Sequence, residues 1–161
     1  MSPSPRSSSD VLGDFAPYII AKGAVRAIQF YTEAFGAVEI YRLTDPASGK
    51  IGHAELAIGT GKLMLADEHP DWGAVSPVSL GGTPVSLHLY VADVDSVVRR
   101  TTTLGATVLR APKDEFFGDR AAMLIDPFGH QWHLATRGEL VTPQEMQRRW
   151  NAAVAGEGGS D

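Results

Sequence analysis

The sequence predicts an α+β fold made from one βαβββ module used twice, followed by a C-terminal helix. Three observations predict it. The two halves run through the same order of strand-like and helix-like segments. Each half stops its helix at a glycine followed by alanine, Phe35-Gly36-Ala37 and Leu104-Gly105-Ala106. The strand-like runs alternate apolar and mixed residues, as half-buried strands do.

In order, the first module opens with a strand over Phe15 to Ile20. A helix follows from about Ala24 to Phe35, with Ala27, Ile28, Tyr31, Ala34 and Phe35 on one face. Three strands come next, Val38–Leu43, Ile51–Ile58 and Lys62–Ala66, with a turn at Asp45-Pro46-Ala47-Ser48-Gly49. The second module repeats this. A strand over Val85 to Val91 leads to a helix from Val94 to Leu104, with Val97, Val98, Thr101 and Leu104 on one face and Asp93 or Asp95 as its cap. Strands follow over Thr107–Ala111, Ala121–Ile125 and Gln131–Thr136, the last two joined by Asp126-Pro127-Phe128-Gly129. In each helix the stopping glycine supplies the left-handed residue that ends it.

The expected layout is a disordered lead at 1–13, a domain at 14–137, a C-terminal helix at 138–155 and a disordered tail at 156–161. Within the domain, module one spans 14–67, a Pro/Gly/Ser-rich linker 68–84, and module two 85–137. The lead is Ser/Pro-rich and too poor in apolar residues to offset its ordering entropy. Thr142-Pro143-Gln144-Glu145 is a capping box with proline at the first helical position. Behind it Met146, Trp150 and Ala153/Val154 form an apolar stripe that must pack on the domain's own sheet or on a second subunit.

Composition excludes several functions. Across 161 residues the chain is 43% hydrophobic and 20% charged, with net charge −5. That suits a packed globular core. No basic cluster is present to neutralise phosphates, so no nucleic-acid role is expected. No apolar run is long enough for a membrane span, and the first residues lack the apolar core of a secretory signal. The expected location is cytoplasmic. There are no cysteines, which removes disulfides, zinc–thiolate sites and thiol nucleophiles.

Alternation assigns the polar candidates. In His53–Ile58 the apolar set is Ala54, Leu56 and Ile58, leaving His53 and Glu55 on the other face. In Ser86–Val91 the apolar set is Leu87, Leu89 and Val91, leaving Ser86, His88 and Tyr90. In the last strand Trp132 and Leu134 fall on one side, Gln131 and His133 on the other. If the two sheets curve toward each other, these mixed faces line a cavity. The candidate ligand-binding residues are therefore His53, Glu55, Ser86, His88, Tyr90, Gln131 and His133, with Trp72 from the long loop. Each also has a plain structural role open to it: His53 and Glu55 as a pair satisfying each other, His88 and Tyr90 as hydrogen-bonded fillers, Trp72 as a loop anchor. Asp119 and Arg120 are expected to form an ion pair in their turn, His130 to cap its turn or lie at the surface, and Trp132 to be core.

This pattern resembles the vicinal oxygen chelate superfamily, which includes glyoxalase I, the extradiol dioxygenases, and the fosfomycin and bleomycin resistance proteins. The likeness lies in Ala27-Ile28-Gln29-Phe30-Tyr31, Ala34-Phe35-Gly36-Ala37, His53-Ala54-Glu55-Leu56, Val91-Ala92-Asp93-Val94-Asp95, Phe117-Gly118-Asp119-Arg120 and Asp126-Pro127-Phe128-Gly129-His130. It covers roughly residues 15–137 and looks closest to the PhnB-like branch. The resemblance implies a glyoxalase/bleomycin-resistance-type fold.

Metal-dependent members take ligands from the first and last strands of a module. Aligning the modules on their glycine stops puts those positions near Phe15 or Pro17 and Leu65 in module one, and near Ser86 or His88 and His133 in module two. The family's closing glutamate falls at His133. Two histidines without a carboxylate make a weak divalent site, so no metal and no other cofactor is expected. The resemblance leaves two main functions open, beside a third, an interaction module whose pocket is vestigial. One is a metal-free protein of the bleomycin-resistance type, binding a small cationic or aromatic compound as a homodimer. The other is a divalent-metal enzyme (lyase, isomerase or dioxygenase) using His88, His133 and an acid such as Glu55.

Overall fold

The computed structural model describes residues 13–157. The expected lead and tail otherwise lie outside these residues. The elements are β1 (Tyr18–Ala21), α1 (Ala24–Phe35), β2 (Val38–Thr44), β3 (Ile51–Ile58), β4 (Gly61–Asp67), α2 (Pro77–Leu80), β5 (Ser86–Tyr90), α3 (Val94–Thr103), β6 (Thr107–Asp114), β7 (Arg120–Ile125), β8 (Gln131–Thr136) and α4 (Pro143–Glu157). This is βαβββ twice and a terminal helix. The first strand begins at Tyr18 rather than Phe15, which is 90% exposed. The terminal helix begins at Pro143, after an extended stretch, and continues through Gly156 to Glu157.

Two sheets result, ordered β1-β4-β3-β2 and β5-β8-β7-β6. In each, the opening strand lies parallel to the closing strand and the other neighbours are antiparallel. Two compact units carry them. One holds the described residues up to Val85 together with Pro127–His130, and the other holds Ser86–Asp126 and the described residues from Gln131 onward.

In the first unit α1 lays Ala24, Ala27, Ile28, Tyr31 and Ala34 on the sheet, where Ile19, Leu56, Leu63 and Leu65 are almost fully buried. Burying each Leu or Ile contributes about 1.5–3 kcal/mol. The turn Pro127–His130 packs here too. The Phe128 ring meets Phe30 and Tyr31, with centroids 6.2 and 6.3 Å apart. His130 is buried, its Nε2 2.9 Å from the Ile20 carbonyl oxygen, so it is neither a surface residue nor a simple turn cap. The segment 68–84 is also organised. Glu68 accepts the Ser76 N–H at 2.8 Å. Hydrogen bonds from Ser76 and Ser79 hold its carboxyl down at about 2.

In the second unit α3 places Val94, Val97, Val98 and Thr101 over Ala122, Leu124 and Leu134. Trp132 is core, 3% exposed, with its Nε1–H donated to Asp126 Oδ2 at 2.9 Å. Asp93 caps α3 through the Ser96 N–H.

Both modules close the same way: the last residue of the closing strand reaches the helix N-terminus. Asp67 Oδ1 accepts from the N–H groups of Gly23 and Ala24 at 3.1 and 2.8 Å, and Oδ2 from Ile51 N–H at 2.7 Å. Thr136 Oγ1 accepts from Val94 N–H at 2.8 Å. These bonds satisfy donors that a helix start leaves without a partner. At the other ends Gly36 and Gly105 have φ of +69° and +103°, the left-handed conformation expected of them.

Candidate functional site

Strand register brings the sequence candidates together on the sheet face away from each helix. In the second unit His88 sits opposite His133, His133 opposite Met123, and Met123 opposite Arg110. One row therefore reads His88–His133–Met123–Arg110 across all four strands. The two imidazoles are nearly parallel, 16° apart, with centroids separated by 6.5 Å. Arg110 Nε donates to Met123 Sδ at 3.2 Å. Burial, then Arg110 and then His88 push the His133 imidazole below its ordinary pKa, favouring the neutral ring. Above this row Ser86 pairs with Gln131 in register, their side-chain oxygens 3.5 Å apart. Below it Tyr90 meets His88 edge-on at 4.6 Å, and Arg137 lies 3.6 Å over the Tyr90 ring.

In the first unit the corresponding face carries a closed polar network. Tyr18 OH is 2.8 Å from His53 Nδ1, and His53 Nε2 is 3.3 Å from Glu55 Oε1. Tyr41 OH donates to the same oxygen at 3.3 Å, while Lys62 Nζ lies 3.0 Å from Glu55 Oε2. A tyrosine donating to Nδ1 and a proton on Nε2 satisfy both histidine contacts at once. Lys62, then His53 and Tyr41, hold the Glu55 carboxyl below the usual range against the opposing effect of burial. Burial foremost, then Tyr41 and Glu55, raise the Tyr18 phenol, so it stays protonated. His53 and Glu55 thus do satisfy each other, within a larger set.

The other candidates fall elsewhere. Trp72 is 83% exposed and stacks on His69, with centroids 3.9 Å apart, inside its own loop. Asp119 does not pair with Arg120. Arg120 binds Asp95 through two bonds of 2.7 and 3.0 Å, and Asp114 at 3.3 Å. Asp119 accepts from Gly138 N–H at 3.4 Å.

The module-one positions aligned from sequence also shift. Leu65 faces the helix and is fully buried, so the last-strand position on the mixed face is Met64. Met64 pairs with Tyr18 on one side and Glu55 on the other. Tyr18, Tyr41, Lys62, Met64, Met123 and Arg110 were missed by sequence reasoning. Lys62 and Met64 were detectable, since they alternate with Leu63 and Leu65. The cross-strand partners were not.

A divalent ion is held by three or more nitrogen, oxygen or sulfur donors converging on one point. Among the described residues, no group of three or more His, Cys, Asp or Glu is gathered at ligating distance. The row through His88 and His133 continues into a thioether and a guanidinium, and Glu55 is already bound to Lys62, His53 and Tyr41. This donor set does not fit a divalent metal. No helix among the described residues is long and apolar enough to cross a membrane.

Comparison with known proteins agrees with the fold. The family model for the Glyoxalase/Bleomycin resistance protein/Dioxygenase superfamily matches residues 15–134. Uncharacterized protein Mb0911c of Mycobacterium bovis is 41% identical over 146 residues, covering 89% of this chain and 93% of that protein. Among solved structures, the fosfomycin resistance protein FosX from Listeria monocytogenes, complexed with Mn(II) and sulfate, superposes with TM-score 0.62 at 17% identity, over 87% of this chain and 98% of FosX. The PhnB protein from Bacillus cereus does so with TM-score 0.60 at 18% identity, over 77% and 99%. At these identities the two structures speak to the fold.

Proposed function

The chain belongs to the glyoxalase/bleomycin resistance protein/dioxygenase superfamily, and we propose that within it this protein binds a small organic molecule without a resident metal. The reading is carried by the row His88–His133–Met123–Arg110, which offers hydrogen-bond donors and a cation where a metal centre would need a third converging ligand. The ligand lies against this face of the second unit, with Ser86, Gln131 and Tyr90 at its margins. Arg110 and the neutral His133 imidazole suit a ligand rich in acceptor oxygens or carrying a negative charge, and they disfavour a cationic one. The first unit's network, from Tyr18 to Lys62, is self-satisfied and acts as a rigid polar surface.

The protein acts as a cytoplasmic homodimer in this reading. The dimer is supported by β2, an edge strand on which Val38, Ile40 and Leu43 are 64, 48 and 59% exposed. Size-exclusion chromatography with light scattering, and cell fractionation, test assembly and location.

The deciding experiment is elemental analysis of untagged protein, followed by titration with Mn, Fe, Co, Ni and Zn. Metal-free protein that takes up none of them, yet is stabilised in a thermal-shift screen by oxygen-rich metabolites or antibiotics, supports the proposal. A stoichiometric ion lost in both His88→Ala and His133→Ala overturns it in favour of metal-assisted chemistry.

A further inference from the structure

Beside α4, the second unit contains a groove of about 730 Å³ that meets the polar strand face at Tyr90. Tyr90, Phe116, Phe117, Leu140, Met146 and Trp150 line it. Its walls are held by polar clamps rather than by apolar packing. Arg149 donates to both Glu139 oxygens and to the Phe116 carbonyl, all at 3.0 Å, and to Glu145 at 2.9 Å. No residue of α4 with a described side chain is buried. Leu140, Trp150 and Met146 are 99, 53 and 37% exposed. The Phe116 ring stands 5.8 Å from Trp150 and 5.3 Å from Phe117. A slot of this volume walled by aromatic rings has the dimensions of a small-molecule site.

One cation in the lining is chemically unspent. Arg137 lies on the Tyr90 ring. Unlike Arg149 and Arg120, each matched by two carboxylates, it has no acidic partner among the described residues. A guanidinium seated over a ring still presents N–H groups for bonding to an anion. Of the two acidic groups in the lining, Glu139 is taken by Arg149 and Asp119 accepts from Gly138 N–H.

We infer that this groove is a second binding site, for a small planar aromatic molecule bearing one carboxylate or sulfonate. Its π-system packs against the Phe116, Phe117 and Trp150 rings, which stand tilted to one another, and Arg137 takes its anion. The groove shares Tyr90, and the Arg137 seated on it, with the margin of the strand face, and does not depend on that reading.

The test uses the full chain with 1-naphthoate and its uncharged counterpart 1-naphthalenemethanol, followed by calorimetry and tryptophan fluorescence. One naphthoate site per chain is expected. Arg137→Ala should weaken naphthoate by about tenfold or more while leaving the alcohol nearly unchanged. Trp150→Ala should weaken both, and His88→Ala neither. Both α4 and Arg137 are exposed, so these variants should fold, which circular dichroism verifies. Absence of binding, or naphthoate affinity indifferent to Arg137→Ala, overturns the inference. Loss in His88→Ala alone would move the ligand to the strand face. A concentration-dependent dimer that Trp150→Ala dissociates and naphthoate does not would assign the groove to a second copy instead.

Discussion

Lys62 Nζ sits 3.0 Å from Glu55 Oε2, with the two side chains only 13 and 10% exposed. Removing one partner of such a pair strands the other away from water. Glu55→Gln should therefore cost about 2–4 kcal/mol in urea unfolding. The double change Glu55→Met with Lys62→Met should recover part of that loss. A single variant as stable as the parent would mean the pair is solvated.

The same carboxylate sets a pH dependence. Its folded pKa is lowered from the ordinary 4.5, chiefly by Lys62. Its stabilisation is then complete above 4.5 and disappears as the pH falls through the lowered folded value. The stability gap between the parent and Glu55→Gln, measured from pH 7 to pH 3, should hold steady at first and narrow below 4.5. A gap independent of pH would remove the ion pair from the account.

Asp67→Ala withdraws the acceptor from three backbone N–H groups, at Gly23, Ala24 and Ile51. It should cost about 2–3 kcal/mol. Hydrogen exchange should show the loss first at the start of α1. Unchanged protection there would mean water replaces the carboxylate without penalty.

Gly118 has φ +100°, and a Cβ there would run into the Glu139 carbonyl oxygen. Gly138 meets the Gly118 carbonyl in the same way. This close approach joins the β6–β7 turn to the strap that leads into α4, sealed by Glu139 N–H donating to Gly118 O at 3.0 Å. Gly118→Ala should destabilise by about 2 kcal/mol. It should also speed proteolysis of residues 138–157 more than that of the rest of the chain. Uniform sensitivity along the chain would argue against the link.

The His133 imidazole should titrate below 6.5 in an NMR pH series, because burial, Arg110 and His88 all oppose its protonation. Arg110→Ala and His88→Ala should each move the midpoint upward. No movement in either variant would leave burial as the sole cause.

Much of the fold was legible from the chain alone. The 3.6-residue stripe of α1 and the two-residue alternation of β3, β5 and β8 are local properties of backbone geometry, so Ala54, Leu56 and Leu134 declared their burial without any partner in view. For the same reason the sequence determined which face His53, Glu55, His88 and His133 occupy. It could not determine what they touch. Tyr18 and His53 are 35 residues apart and His130 and Ile20 are 110 apart, and only the packed chain brings them together. Met123 and Arg110 entered the picture through strand register, where a shift of one residue would have turned each to the opposite face. The alternating pattern was thus the sequence's to determine. Whether the imidazoles stand beside a carboxylate or a guanidinium was decided by tertiary structure, because that choice is set by pairing between strands and not along them.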